Sequence, residues 1–102
     1  MFNNKRYITR GVSESISESL QLAVWNFIDL LKLKENLELD YLQVFELRFI
    51  SSNSTLNQEI THSQEVPPYK KIYLISTTNP VNAKIYVIDD VDHSTMLLAE
   101  EY

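Results

Sequence analysis

The sequence reads as an α+β domain: an N-terminal strand and one amphipathic helix packed on a bent, mostly antiparallel sheet of about five strands. Three observations carry that expectation. Apolar residues recur every three or four positions over residues 16–34, the period of a helix. After residue 40 the chain breaks into short stretches that alternate with period two, the period of strands. At 102 residues it forms a single domain (1–102) able to bury one core, with little room for a deep cleft.

Taken in order, "KRYITRGV" (5–12) alternates after its basic start and suggests a short strand stopped at Gly11. In "SESISES" the Ser15/Glu18 spacing fits a capping box, with Ser13 and Ser17 as alternative caps. The helix then presents Leu20, Val24, Phe27, Ile28 and Leu31 on one face, the core stripe. Leu22, Trp25 and Leu33 fall outside that stripe and form a second apolar strip that needs a cover. The N-terminal strand, the loop after the helix or another subunit can supply it.

"YLQVFELRFI" (41–50) is a long strand, and "SSNST" is turn chemistry. "LNQEITHSQE" (56–65) alternates but puts Ile60 and His62 on one face with Gln58 and Gln64, which suits a polar edge strand ended by Pro67-Pro68. "YKKIYLIST" and "AKIYVIDD" are strands joined by "TNPVN". "STMLLAEEY" is a last strand or a short helix, the strand being favoured by its closeness to its predecessor. Sequential strands with short links should pair antiparallel, either as an open sheet or as a small barrel of Sm or SH3 type. Ile85 with Val87, and Tyr86 with Ile88, place apolar side chains on both faces of one strand. Curling or dimerisation would cover the second face.

Composition excludes several chemistries. Gly11 is the single glycine, so phosphate-cradling loops and nucleophile elbows are absent. With no cysteine there is no disulfide, zinc ribbon or thiol chemistry. No apolar run reaches signal-peptide or membrane-span length, which suggests a cytoplasmic protein without membrane contact. A formal net charge of −5 opposes non-specific attraction to nucleic acid.

Two phrase pairs carry a resemblance. "FNNKRYITRGV" with "LQLAVWNFID", and "HSQEVPPYKKIYL" with "NAKIYVIDDVDHSTMLLAEEY", resemble the uncharacterised family catalogued as domain of unknown function nine hundred and sixty, from low-GC Gram-positive bacteria and their phages. The resemblance spans nearly the whole chain and implies no activity, cofactor or catalytic residue. A shorter similarity, in Arg10-Gly11 before a helix and the phrase "PVNAKIYV", is to the YolD-like family, and suggests fold more than function.

Four site readings compete. Asp89, Asp90, Asp92 and His93, with His62 across the sheet, carry metal-ligand chemistry. They lack the Gly and Glu positions of a calcium loop, and aspartates are favoured in turns, so a hairpin tip is the better reading. His62 beside Ser63, and His93 beside Ser94, are poor nucleophile–base pairs, because neighbours on a strand point apart. Lys5, Arg6, Arg10, Lys70 and Lys71 interleave with Tyr7, Tyr69 and Tyr73, as a single-strand nucleic-acid groove requires. The acidic surroundings count against that. The reading the sequence favours is a non-enzymatic protein-interaction or assembly module without cofactor, self-associating, and phage- or stress-associated. Leu22, Trp25, Leu33, Asp90 and His93 are its expected surface.

Overall fold

A computed structural model describes residues 1–51 and 55–102. The "SSNST" turn falls largely on residues 52–54, outside the described residues. Element order is β1 (Lys5–Ile8), α1 (Arg10–Ser15), α2 (Glu18–Lys32), β2 (Leu42–Phe49), β3 (Gln58–Gln64), β4 (Tyr69–Ile75), β5 (Ala83–Asp89) and β6 (His93–Leu98). A 3₁₀ turn over Ala99–Glu101 follows. The α+β class is as the sequence suggests, with six strands in place of about five and two helices in place of one.

The strands form one mixed sheet in the order β1-β6-β5-β2-β3-β4. It stays open, with β1 and β4 at its two edges, and no barrel closes. β1 runs parallel to β6, and every other pair is antiparallel. Sequential pairing holds for β2–β3, β3–β4 and β5–β6. It fails for β4 and β5, because β5 returns across the sheet to pair with β2 on the side away from β3. Gly11 does not stop a strand. The strand ends at Ile8, where Thr9 caps α1 by accepting from the Val12 N–H at 3.3 Å.

Ser17, one of the three serines expected to cap, starts α2 by accepting from the Leu20 N–H at 3.4 Å. Ile16 turns the chain between the helices. The stripe Leu20, Val24, Phe27, Ile28 and Leu31 is buried, as its spacing requires, and its first four residues share one core with Phe45, Leu47, Ile60, Ile85, Val87, Met96 and Leu98 of the sheet. Phe27 stacks on Tyr73 with ring centroids 3.8 Å apart, so α2 reaches across to β4. The whole measures 40 × 31 × 19 Å. That is two layers thick: one sheet, with helices on one side only.

β3 corrects the edge-strand reading. It lies inside the sheet, between β2 and β4, and Gln58, Ile60, His62 and Gln64 all face the helix layer and are buried. Polar residues are tolerated there because each amide is paired. Gln64 accepts from the Asp40 N–H (3.0 Å) and from Gln43 (2.8 Å), and donates to the carbonyls of Glu38 (2.8 Å) and Pro67 (2.9 Å). Gln58 donates to the Val81 carbonyl and accepts from its N–H. These bonds tie the 33–41 and 76–82 connections to the middle of the sheet.

Candidate functional site: the helix-free face of the sheet

Because side chains alternate along a strand, every inward row in the helix layer implies an outward row on the other side. The register aligns two of these rows. Tyr7, Thr95, Ile88 and Leu42 are consecutive partners across β1, β6, β5 and β2. The next row runs Leu97, Tyr86, Val44, Ser63 and Lys70 across β6, β5, β2, β3 and β4. Seven residues of these two rows (Tyr7, Thr95, Ile88, Leu42, Leu97, Tyr86 and Val44) form one continuous patch of aliphatic and aromatic side chains and a threonine methyl. Neither α1 nor α2 lies over it, although Leu97 is itself buried. Tyr102 stands edge-on to Tyr86 with centroids 5.4 Å apart, and Tyr7 stands edge-on to His93 at 5.6 Å.

A polar band borders the patch. Lys84 pairs with Glu46 at 3.9 Å, and Arg48 with Glu59 at 3.0 Å, both across neighbouring strands. Such exposed pairs contribute at most about 1 kcal/mol each and chiefly set charge pattern. On this face four cations (Lys5, Arg48, Lys70, Lys84) stand against two carboxylates (Glu46, Glu59), on a chain of net charge −5. The bare face is thus locally basic.

The helical strip expected as an interaction surface comes apart. Trp25 is 8% exposed and lies beneath the Arg6 guanidinium, 4.8 Å from its ring centre. Arg6 is held there by Asp29, at 2.5 and 3.3 Å, and Lys32 joins the same carboxylate at 3.2 Å. Burial alone raises the Asp29 pKa, but hydrogen bonds and charge from Arg6 and Lys32 outweigh it and hold the carboxyl below its ordinary value. Trp25 is therefore covered within the chain by the N-terminal strand, the first of the three covers considered. Leu22 and Leu33 are 63% and 77% exposed, and without Trp25 they do not make a continuous strip.

The acidic phrase forms the tip of the β5–β6 hairpin, as its turn chemistry suggests. Asp90 donates its N–H to the His93 carbonyl at 2.8 Å, and Val91 takes a left-handed backbone conformation, φ 74°. The His93 ring faces Asp90 at 3.6 Å. Asp89 turns away to the helix side and accepts from the Phe2 N–H (2.9 Å), the Val91 N–H (2.9 Å) and Asn4 (3.0 Å). Burial raises its pKa, and these bonds more than offset it, leaving the carboxyl below its usual range. Asp89 thus anchors the N-terminal segment and Asp90 belongs to the turn. Among the described residues, no three His, Asp or Glu side chains are grouped to hold a metal ion.

The two histidines stand on opposite faces. His62 is fully buried, stacked on Phe45 at 4.3 Å and edge-on to Tyr69 at 5.6 Å, with Nε2 2.6 Å from Gln43 Oε1. Its Nδ1 has no partner, and burial pushes its pKa down to about 4. Ser63 faces outward and Ser94 bonds Asn4 at 2.6 Å, so neither adjoining serine meets a histidine base. The basic and aromatic residues of the nucleic-acid reading are split likewise. Lys5, Tyr7 and Lys70 face outward. Tyr69, Tyr73 and Arg6 face the helix layer, and Arg10 pairs with Glu14 on α1 at 2.8 Å.

The sequence reading missed Gln43, Gln58 and Gln64 as buried anchors. A signal was present: residues 58, 60, 62 and 64 alternate with period two and none carries a full charge. It also underweighted the outward rows, although Tyr86 with Ile88 pointed to one of them.

Fold and surface together define a two-layer α+β domain with one sheet face free of α1 and α2. The chain belongs to the family described as Staphylococcal protein of unknown function (DUF960), whose profile matches residues 5–101. It is similar over 98% of its length, and 92% of the other chain, to a protein of unknown function from Enterococcus faecalis seen in a crystal structure, with 27% identity and a TM-score of 0.76. A search of curated proteins finds no match. The YolD-like similarity gains no support from these comparisons. Among the described residues no helix is long and apolar enough to cross a membrane.

Proposed function

We propose that this protein is a non-enzymatic interaction module that works through the helix-free face of its sheet, and that the first occupant of that face is a second copy of itself. One observation carries the reading: Tyr7, Leu42, Val44, Tyr86, Ile88 and Thr95 are brought side by side, around a buried Leu97, on a face that neither α1 nor α2 covers. Apolar sheet faces are ordinarily covered by packing a second layer about 10 Å away, and two sheets pack aligned at about 30°. The broad side of the molecule, 40 × 31 Å, exceeds the roughly 800 Å² per partner that a stable interface needs. A two-fold pairing buries the patch of each copy in the patch of the other.

Sedimentation at high micromolar concentration should show a dimer. Replacing Val44 and Ile88 together by aspartate should convert it to a monomer with unchanged circular dichroism, since both side chains reach solvent on the outer face in the single chain. A wild-type protein that stays monomeric at that concentration would count against the reading. For the absence of metal-dependent chemistry, calorimetric titration with Mg²⁺, Mn²⁺ or Zn²⁺ should give no binding heat.

A further inference from the structure

A second surface is left open by the sheet order: the backbone edge of β4, apart from the apolar patch although its outward side chains lie at the margin of the same face. β4 is an edge strand, and from Tyr69 to Leu74 its backbone bonds only to β3 among the described residues. Its outer edge presents a row of free N–H and C=O groups, which is a template for one more strand. The usual devices that blunt an edge are mostly missing. "YKKIYLI" has no proline, glycine or bulge within its seven residues, it pairs with β3 in unbroken register, and Ile72 and Leu74 are 56% and 50% exposed on the outward side. What it does carry is a pair of lysines. Lys70 points outward and Lys71 inward, and neither makes an ion pair. Lys71 lies over the Tyr73 ring at 5.1 Å, and Lys34 approaches the Tyr69 ring at 5.8 Å, adding a third cation at the same end.

Those lysines decide which strand fits. Antiparallel pairing of β4 with its own copy about Ile72 sets Lys70 opposite Leu74 and Lys71 opposite Tyr73. It leaves the two Lys71 side chains diagonal neighbours, with no carboxylate supplied to any of the four cations. An extended segment with two adjacent acidic residues meets both lysines at once, one on each side of the sheet. β-Branched or aromatic residues two and four positions further along then cover Ile72 and Leu74. We propose that β4 is a docking edge for an extended acidic segment of a partner protein, which adds a seventh strand to the sheet.

The test uses the full chain and three capped octapeptides of alternating valine and threonine that differ only in a central pair: Glu-Asp, Gln-Asn or Lys-Arg. The Glu-Asp peptide should bind at least tenfold more tightly than the Gln-Asn peptide by fluorescence anisotropy, and the Lys-Arg peptide should not bind. Hydrogen exchange with the Glu-Asp peptide should slow at residues 69–75 and stay unchanged at residues 5–8, the other edge. Lys70→Glu with Lys71→Glu should lower affinity for that peptide at least tenfold and gain affinity for the Lys-Arg peptide, a reversal that loss of folding cannot produce. Equal binding of all three peptides, no protection of residues 69–75, or concentration-dependent protection there without peptide would each overturn the proposal. The last of these would assign the edge to a second copy. The Val44/Ile88 aspartate variant should bind the peptide normally, which separates this edge from the broad face.

Discussion

At the scale of single residues, two positions show how far chemistry reaches beyond what a linear sequence displays. His62 sits in an apolar stack with one ring nitrogen unpartnered, so its charged form is excluded from the folded state. Its pKa falls from 6.5 to about 4 on folding. Above pH 6.5 neither state is protonated and the group has no effect on stability. As pH falls below 6.5 the unfolded chain takes up a proton that the folded chain refuses, so stability declines until about pH 4, where the loss is complete. At 1.36 kcal/mol per unit the full decline is about 3 kcal/mol. Urea unfolding between pH 7.5 and 4.5 should show most of it, and His62→Leu should flatten that slope, though at lower stability throughout. A slope unchanged in the variant would assign the decline to other groups. Gly11 is the second case. A Cβ there would stand 2.6–2.8 Å from the Glu101 carboxylate, which accepts from Thr9 Oγ1, the Gly11 N–H and the Leu98 N–H. The one glycine thus makes room for a carboxylate, one that a Cβ would displace, and does not serve a turn. Gly11→Ala should change the melting temperature little, because displacing the exposed Glu101 carboxylate from its bonds offsets the gain in helix propensity, and in a Glu101→Ala background the same substitution should raise it. Nothing in residues 9–12 alone announces a partner ninety positions away.

At the scale of elements, periodicity was the legible quantity and neighbourhood was not. The stripe on α2 and the strands at 42–49, 69–75 and 83–89 follow from the period of their residues, the strand at 93–98 from its closeness to β5, and local turn chemistry marks the β5–β6 hairpin. β3 was misplaced because an interior strand normally shows an apolar inward row, and here three of the four inward residues are polar. The Gln58 and Gln64 amides and the His62 Nε2 find partners in Gln43 and in the connections at residues 33–41 and 76–82, which are contacts distant in sequence. Which of the three covers lies over Trp25 was illegible for the same reason: Arg6, which supplies it, lies on another element. Gln64 is the point at which the α2–β2 connection is fastened to the sheet. Gln64→Ala would orphan the Asp40 N–H and the Glu38 and Pro67 carbonyls. It should cost about 2–3 kcal/mol in chemical unfolding and speed hydrogen exchange at Asp40 more than within α2. Uniform exchange across both segments would show that the connection is held by something else.

At the scale of the whole molecule, strand order is where sequence-level reasoning ran out. Adjacent strands joined by short links favour a meander, yet β5 passes beyond β3 to pair with β2, and the sheet ends with a parallel β1. That arrangement places the helices of the described residues on one side and leaves the outward rows without a helix layer, the face to which Tyr86 and Ile88 of β5 belong. Charge then predicts how that face behaves. Each copy carries a net charge of −5, and the bare face itself carries more cations than carboxylates, so two copies repel both overall and at the contact. Burial of Tyr7, Tyr86, Ile88 and their neighbours has to overcome that repulsion. Salt screens charge over about 10 Å at 0.1 M and leaves apolar burial intact. Raising salt from about 0.05 to 0.5 M should therefore strengthen the face-to-face dimer in sedimentation runs. The same change should weaken binding of the acidic peptide at β4, whose attraction rests on Lys70 and Lys71. A dimer that dissociates as salt rises would mean that ion pairs hold it, and would place its interface away from the apolar rows.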